Sequence, residues 1–340
     1  MTERIINLGI IGHGYWGPNL LRNYMQLPDS NVVMVSDLDP AKLQPAKALY
    51  PAIQTSSDPA DIFSHADIQA LAIATPVSTH FELADKALDA GKHVLITKPF
   101  TSSSQEAQAL IKKAAEKDLV LAVDHTFVYT GAVRKIKELI DQGELGKIYY
   151  YDSTRINLGL FQHDANVLWD LAVHDLTIMD YILPSKAVGV AATGMRHVPN
   201  EPENVAYLTV FFEDRLIAHI NVNWLAPVKV RQTLVGGSEK MIVYNDLEPS
   251  EKIRIYDRGV DVQNNPENIY QMLISYRSGD MWAPHLDLTE ALRTEALHFL
   301  DCIRSGQQPI TDGDSGLRVV RMLEAADKSL AQNGAYVELD

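Results

Sequence analysis

Residues 6–11 read INLGII, and residues 12–19 continue GHGYWGPN. An apolar run is followed at once by glycines at 12, 14 and 17, the spacing G-x-G-x-x-G, and by Pro18, which suits the first turn of a helix. A tight turn accounts for such a stretch. So does a diphosphate that must come close to the backbone. In the second case the first glycine makes the turn, the second admits the phosphates and the third lets the helix pack on the strand. The helix N-terminus then offers its unpaired N–H groups to the anion. Asp37 tips the balance: it ends the next apolar run, VVMVSD, twenty residues beyond Gly17. A dinucleotide fold places an acid there to bond the adenine ribose hydroxyls. Gly12, Gly14, Tyr15, Trp16, Gly17 and Asp37 are therefore the expected cofactor contacts. An acid at 37 repels a 2′-phosphate, which favours NAD over NADP.

Working outward, strands at 5–11, 32–36, 70–74, 94–97 and 119–123 alternate with helices at 18–27, 41–50, 79–91 and 103–117. The strands are continuous apolar runs, as expected when helices cover both faces of a parallel sheet. Residues 1–123 thus form an α/β, doubly wound Rossmann domain for NAD. Beyond residue 124 the pattern changes: helices at 132–142 and 167–182, then strands in succession, and two closing helices at 289–305 and 315–333. In 215–224, Leu216, Ala218, Ile220, Val222 and Trp224 alternate with a mostly polar set, so one face is buried. Residues 206–212 pair with this strand across a turn at Glu213–Asp214. Residues 124–340 read as an α+β domain with a large, mainly antiparallel open sheet, and 258–288 as a long loop.

At 340 residues the chain is long enough for two domains at roughly 150 residues each. Its net charge of −14 and the lack of a dense Lys/Arg cluster argue against nucleic acid as partner. The single cysteine, Cys302, excludes an intrachain disulfide and a CxxC zinc site, so no metal is expected, and its apolar surroundings make it a core residue. No signal-peptide layout and no membrane-length apolar run appear. A reducing cytoplasmic setting is the expectation.

Strand ends border the ligand crevice in this architecture. Thr75 and Pro76, after strand 70–74, are expected on the nicotinamide side with His80 close by, the alternative being a plain strand-to-helix turn. Strand 94–97 runs into Thr97-Lys98-Pro99. Here, and in the glycine loop, Asp37, Ala74-Thr75-Pro76, the pair Asp170/His174 and the tail from Tyr276-Arg277-Ser278-Gly279-Asp280 to Thr311-Asp312-Gly313, the chain resembles the glucose–fructose oxidoreductase, inositol dehydrogenase and rhizopine-catabolism family, Gfo/Idh/MocA. Members usually carry Glu-Lys-Pro where this chain has Thr97-Lys98-Pro99. The lysine is kept and the acid is replaced.

The resemblance implies an oxidoreductase that moves a hydride between a sugar secondary alcohol and NAD. The family's D-x-x-x-H pair falls on Asp170 and His174, four apart on the helix predicted over 167–182 and hence on one face, about 6 Å along its axis. An imidazole suits a base or proton relay. Lys98 suits an alcohol oxygen that develops alkoxide charge, and Asp170 a sugar hydroxyl or the tuning of His174. Lys98, Asp170 and His174 are the expected catalytic group, with the amine and the imidazole converging beside the cofactor.

Residues 166–175 resemble the subgroup acting as 3-dehydrogenases on UDP-N-acetylglucosamine or its uronate. Beside them, Arg155 can hold a carboxylate or phosphate, or else pair within the sheet. Asn157 can hold a hydroxyl, loop 161–166 approaches the same helix, His125 can reach the cofactor or sugar, and Trp282 can close over the site or simply pack. Rival readings are an inositol or free-sugar dehydrogenase, an NAD-assisted glycosidase and a non-catalytic dinucleotide sensor. The resemblance also implies a homodimer or homotetramer, with the face around 206–224 as its interface unless the chain's own helices cover it.

Overall fold

The computed structural model describes residues 5–159, 165–263 and 273–339. Its contacts divide the chain into two compact units. One joins Met1–Tyr129 to Thr289–Arg321, and the other joins Thr130–Leu288 to Met322–Asp340.

In the first unit, β1 (Ile6–Ile11), β2 (Ser30–Ser36), β3 (Gln54–Ser56), β4 (Ala70–Ile73), β5 (His93–Thr97) and β6 (Leu121–Asp124) form a six-stranded sheet in the order β3-β2-β1-β4-β5-β6. Every pairing is parallel. This is the doubly wound order whose reversal, between β1 and β4, opens a crevice at the strands' C-terminal ends. The helices α1 (Gly17–Met25), α2 (Pro40–Leu49), α3 (Ala60–Ser64), α4 (His80–Asp89) and α5 (Ser104–Glu116) connect the strands. The returning segment brings a further helix to this core. Leu292, Ala296, Phe299 and Leu300 of Ala291–Ser305, spaced as one helical stripe, pack with Leu8, Leu20, Tyr24 and Leu95. Cys302 is buried among them, and burying a side chain such as Phe299 contributes about 2–3 kcal/mol.

The second unit holds α6 (Gly131–Asp141), β7 (Ile148–Leu158), a π-helical turn at Leu168–Ala172, α7 (Val173–Ile182), β8 (Ala187–Met195), β9 (Val205–Phe212), β10 (Ile217–Asn223), β11 (Leu225–Gly237), β12 (Met241–Asn245), β13 (Ile253–Gln263) and β14 (Leu273–Trp282). The returning helix in the first unit is α8 (Ala291–Ser305). The last helix, α9 (Gly313–Ala331), contains the division after Arg321, and β15 (Val337–Glu338) follows it. The sheet is nine-stranded, β14-β13-β12-β11-β7-β10-β9-β8-β15, and only the β10–β7 pairing is parallel among those described.

Two expectations need correction. Most of 258–288 is not loop: β13 and β14 pair antiparallel, from Ile255 opposite Trp282 to Gln263 opposite Leu273. Backbone pairing organises a stretch whose side chains carry no strict alternation. Trp282 accordingly sits in a strand, with the Lys240 ammonium 5.3 Å from its ring centroid, a cation–π contact within the sheet. Asp170, moreover, lies in the π turn and not on an α-helical face.

Of the β9–β10 pair, the alternating apolar set (Ala206, Leu208, Val210, Ala218, Ile220, Val222, Trp224) is the buried one. The opposite face keeps Tyr207 and Ile217 exposed, as well as Tyr150 of β7. Ser153 and Arg155 of β7 clamp α7 to the inner face through Asp175. No described helix is long and apolar enough to cross a membrane.

Candidate active site

The glycine loop lies at the crevice of the first unit. Gly12 has φ +93°, and a Cβ there would sit 2.4 Å from the Ala74 carbonyl oxygen, so the loop is pressed against the end of β4. A Cβ on Gly17 would fall 2.1 Å from the Gly12 carbonyl. Gly14 differs: a Cβ there would meet nothing within 4 Å. Protein packing demands glycine at 12 and 17. At 14 the bare backbone faces open space, as a cradle for a phosphate requires. No side chain caps α1 at Trp16, which leaves its first N–H groups to a ligand. Asp37 receives the His13 backbone N–H on Oδ2 (2.8 Å) and the Asp39 N–H on Oδ1 (2.9 Å). Each oxygen keeps acceptor capacity for a hydroxyl. Tyr15 is 90% exposed, whereas Trp16 is half-buried and donates its indole N–H to Asp124 Oδ2 at 2.5 Å.

Thr97 ends β5, and Thr75, Pro76, His80, Lys98 and His125 follow the C-terminal ends of β4, β5 and β6. The His80 ring, 1% exposed, lies with Nε2 2.9 Å from the Thr75 carbonyl and Nδ1 2.9 Å from that of Pro99. It braces the two loops, and burial lowers its pKa against the pull of those carbonyls. Thr97 Oγ1 is 3.5 Å from His80 Nε2. His125 is buried, and burial, aided by the Lys98 ammonium, holds its imidazole down at about 3, so it is neutral at physiological pH.

In the second unit, Asn166 Oδ1 accepts the backbone N–H groups of Leu168 and Trp169 and starts the π turn. Trp169 donates to Asp327 Oδ2 at 2.7 Å and Asn166 Nδ2 donates to its Oδ1 at 2.8 Å, so α9 anchors the turn. Asp170 accepts the indole N–H of the fully buried Trp224 at 3.0 Å. A Cβ at Gly159 would meet that indole at 2.5 Å, which is why the strand end needs glycine there. His174 lies in the first turn of α7, partly exposed like Asp170. Arg155, read either as an anion holder for the substrate or as a structural ion pair, is buried in an ion pair with Asp175, through Nε (2.6 Å) and Nη2 (3.2 Å). The pair orders α7 on β7. Asn157 lies on the same strand, partly exposed; residues 160–164, and with them most of the anticipated 161–166 loop, lie outside the described residues. Sequence reasoning missed Asp124, Trp224 and Asp327, because none belongs to a motif or adjoins its partner in the chain.

Residues 6–125 match the model of an oxidoreductase family with an NAD-binding Rossmann fold, GFO_IDH_MocA, and residues 133–243 match a GFO/IDH/MocA C-terminal domain. The UDP-N-acetylglucosamine 3-dehydrogenase of Acidithiobacillus ferrooxidans is 31% identical over 268 residues, 75% of this chain and 76% of the relative. The chain belongs to the Gfo/Idh/MocA oxidoreductase family. The NAD(+)-dependent scyllo-inositol 2-dehydrogenase of Bacillus subtilis is another relative, 25% identical over 345 residues, 99% of this chain and 95% of that one. A solved structure of the A. ferrooxidans enzyme superposes with a TM-score of 0.80 at 25% identity, covering 96% of this chain and 98% of that chain. The fold is also that of the WlbA dehydrogenase from Bordetella pertussis, solved with NADH and UDP-GlcNAcA (TM-score 0.83, 19% identity, covering 100% and 99%).

The protein is thus an NAD-dependent oxidoreductase, and its own residues fit the cofactor. Open space at Gly14, the uncapped α1 and the spare acceptor capacity of Asp37 match, in turn, the diphosphate and the adenosine ribose. Residues 6–125, which include this loop and Asp37, are those that match the NAD-binding Rossmann fold of the family.

Proposed function

We propose that this Gfo/Idh/MocA protein oxidises a secondary alcohol of a nucleotide-linked sugar, or reduces the corresponding ketone, with Lys98, Asp170 and His174 as its catalytic group. NAD, when bound, supplies the hydride acceptor. The Lys98 ammonium donates a hydrogen bond to the alcohol oxygen and stabilises charge as the proton leaves. His174 takes that proton. Asp170, steadied by Trp224, holds a neighbouring sugar hydroxyl or orients His174. Thr75, Pro76 and Thr97 line the nicotinamide side, Asn157 contacts the sugar, and His80 and His125 support the loops from beneath.

The observation that carries the nucleotide-sugar reading is the 31% identity to a UDP-N-acetylglucosamine 3-dehydrogenase across three quarters of the chain. The inositol relative at 25% favours a free polyol as the second reading. Purified protein with NAD, offered UDP-N-acetylglucosamine, its uronate and inositols, is expected to reduce NAD with a UDP-sugar. Reduction by inositols alone transfers the assignment to the polyol. His174→Asn is expected to lower turnover by about a thousandfold while NAD still binds. Undiminished turnover removes His174 from the base role. We further propose that the exposed face of the nine-stranded sheet meets a second copy of the chain.

A further inference from the structure

Two carboxyl groups lie buried behind the glycine loop, and the dehydrogenase chemistry above uses neither. Asp124, at the end of β6, is 2% exposed, and Glu295, on α8, is 1% exposed. Asp124 accepts the Trp16 indole N–H on Oδ2 and the Thr126 hydroxyl on Oδ1, each at 2.5 Å. Glu295 faces Asp124, Thr126 and the backbone at His125. Tyr24 of α1 and Tyr129, both buried, complete the surroundings. Two ionised carboxylates in contact in such a site repel, and each loses its hydration. The two differ in their donors: among the described residues, Asp124 accepts two hydrogen bonds and Glu295 none. Neither oxygen of Glu295 has a hydrogen-bond partner there, so nothing compensates a charge and this group keeps its proton. Burial and the Asp124 charge together raise the Glu295 pKa well above the ordinary carboxyl range.

We propose that the Asp124 carboxylate positions Trp16, and with it the dinucleotide loop, and that the buried, protonated Glu295 beside it keeps a second charge away, so that NAD affinity depends on one buried proton. Trp16 stands immediately before Gly17 and α1, so its indole sets where the uncapped N–H groups point. Asp124 and Glu295 are positioning residues. When the pair loses its proton, the like charges separate, the indole loses its anchor and the cradle loosens.

The proton can be read in the protein without NAD. Glu295 has a raised native pKa, so the unfolded chain releases its proton near pH 4.3 while the native chain retains it. The contribution of Glu295 to stability therefore falls as pH rises above that point, by up to about tenfold in the folding constant per pH unit. Glu295→Gln keeps an N–H donor and cannot ionise. Its stability relative to the parent is expected to climb over that window in denaturant titrations. Asp124→Ala is expected to weaken NAD binding, followed by fluorescence, by about tenfold, the worth of a charge-assisted hydrogen bond, and Asp124→Asn to recover most of it. If Asp124→Ala does not fold, Trp16→Phe removes the same bond from the other side. Parallel stability curves for parent and Glu295→Gln would eliminate the buried proton. An NAD affinity indifferent to the loss of the Asp124–Trp16 bond would eliminate the positioning role.

Discussion

At the scale of single residues, the three loop glycines are not equivalent. Gly12 and Gly17 are required by the protein itself, since a methyl group at either collides with a backbone carbonyl. Gly14 meets no such obstacle, so in the proposed NAD site it is the ligand that asks for glycine there. Gly14→Ala should leave the denaturation midpoint nearly unchanged, within about 0.5 kcal/mol, yet weaken NAD at least about tenfold. Gly12→Ala should instead cost roughly 2–3 kcal/mol of stability, because its φ of +93° and the 2.4 Å approach to Ala74 both oppose a side chain. Paired calorimetry and NAD titration separate the two. Equal effects at both positions would mean that Gly14 has a packing role after all. His125 provides a pH test. Its imidazole is neutral when folded, with a pKa near 3, but takes a proton near 6.5 when unfolded. For this group the unfolded state binds more protons between those values, so the His125 contribution to stability drops as pH falls from about 6.5 toward 3, by at most about 1.4 kcal/mol per unit. His125→Gln should flatten that limb in acid titrations, and an unaltered slope would place the proton uptake elsewhere.

At the scale of elements, the first unit was legible because its signals are local: apolar runs for buried parallel strands, glycines for the loop, an acid ending the second strand. What escaped depends on distant partners. Nothing near Asp124 in the chain announces that Trp16 and Glu295 will meet it, and nothing at 167–182 distinguishes a π turn from α-helix. The return of α8 to the first unit follows from a stripe at Leu292, Ala296, Phe299 and Leu300 that would fit any apolar sheet. For the proposed active site the π turn matters. One residue too many for an α-helical turn shifts Asp170 around the axis, toward the Trp224 indole, and such turns recur at functional sites. Its anchor is the Trp169–Asp327 bond. Trp169→Phe keeps the ring and loses that bond. It should lower turnover with a UDP-sugar about tenfold while NAD affinity, built in the other unit, stays at the parent value. A matching loss of NAD binding would point to general destabilisation and against a role in aiming Asp170.

At the scale of the whole molecule, the nine-stranded sheet leaves an outer face to be explained. Tyr150, Tyr207, Ile217 and Met281 remain exposed on it, and apolar side chains gathered on one face are what an interaction surface offers. Two aromatic rings also lie flat where strands lack side chains. A Cβ on Gly236 would meet the Tyr150 ring at 2.1 Å, and one on Gly189 the Tyr336 ring at 2.3 Å, with Phe211 edge-on to Tyr336 at 5.5 Å. Rings laid over glycine gaps level the pleat, which suits the flat contact of one sheet on another. A second copy presenting the same face satisfies this by two-fold symmetry, and every substitution then counts twice. Ile217→Asp, at a position 44% exposed in the single chain, should therefore shift sedimentation toward the monomer without unfolding the unit, whose core lies on the opposite face. The wild type should sediment as a dimer or a multiple of one. A wild-type monomer at micromolar concentration, or an Ile217→Asp variant that sediments unchanged, would direct the search for the interface to another surface.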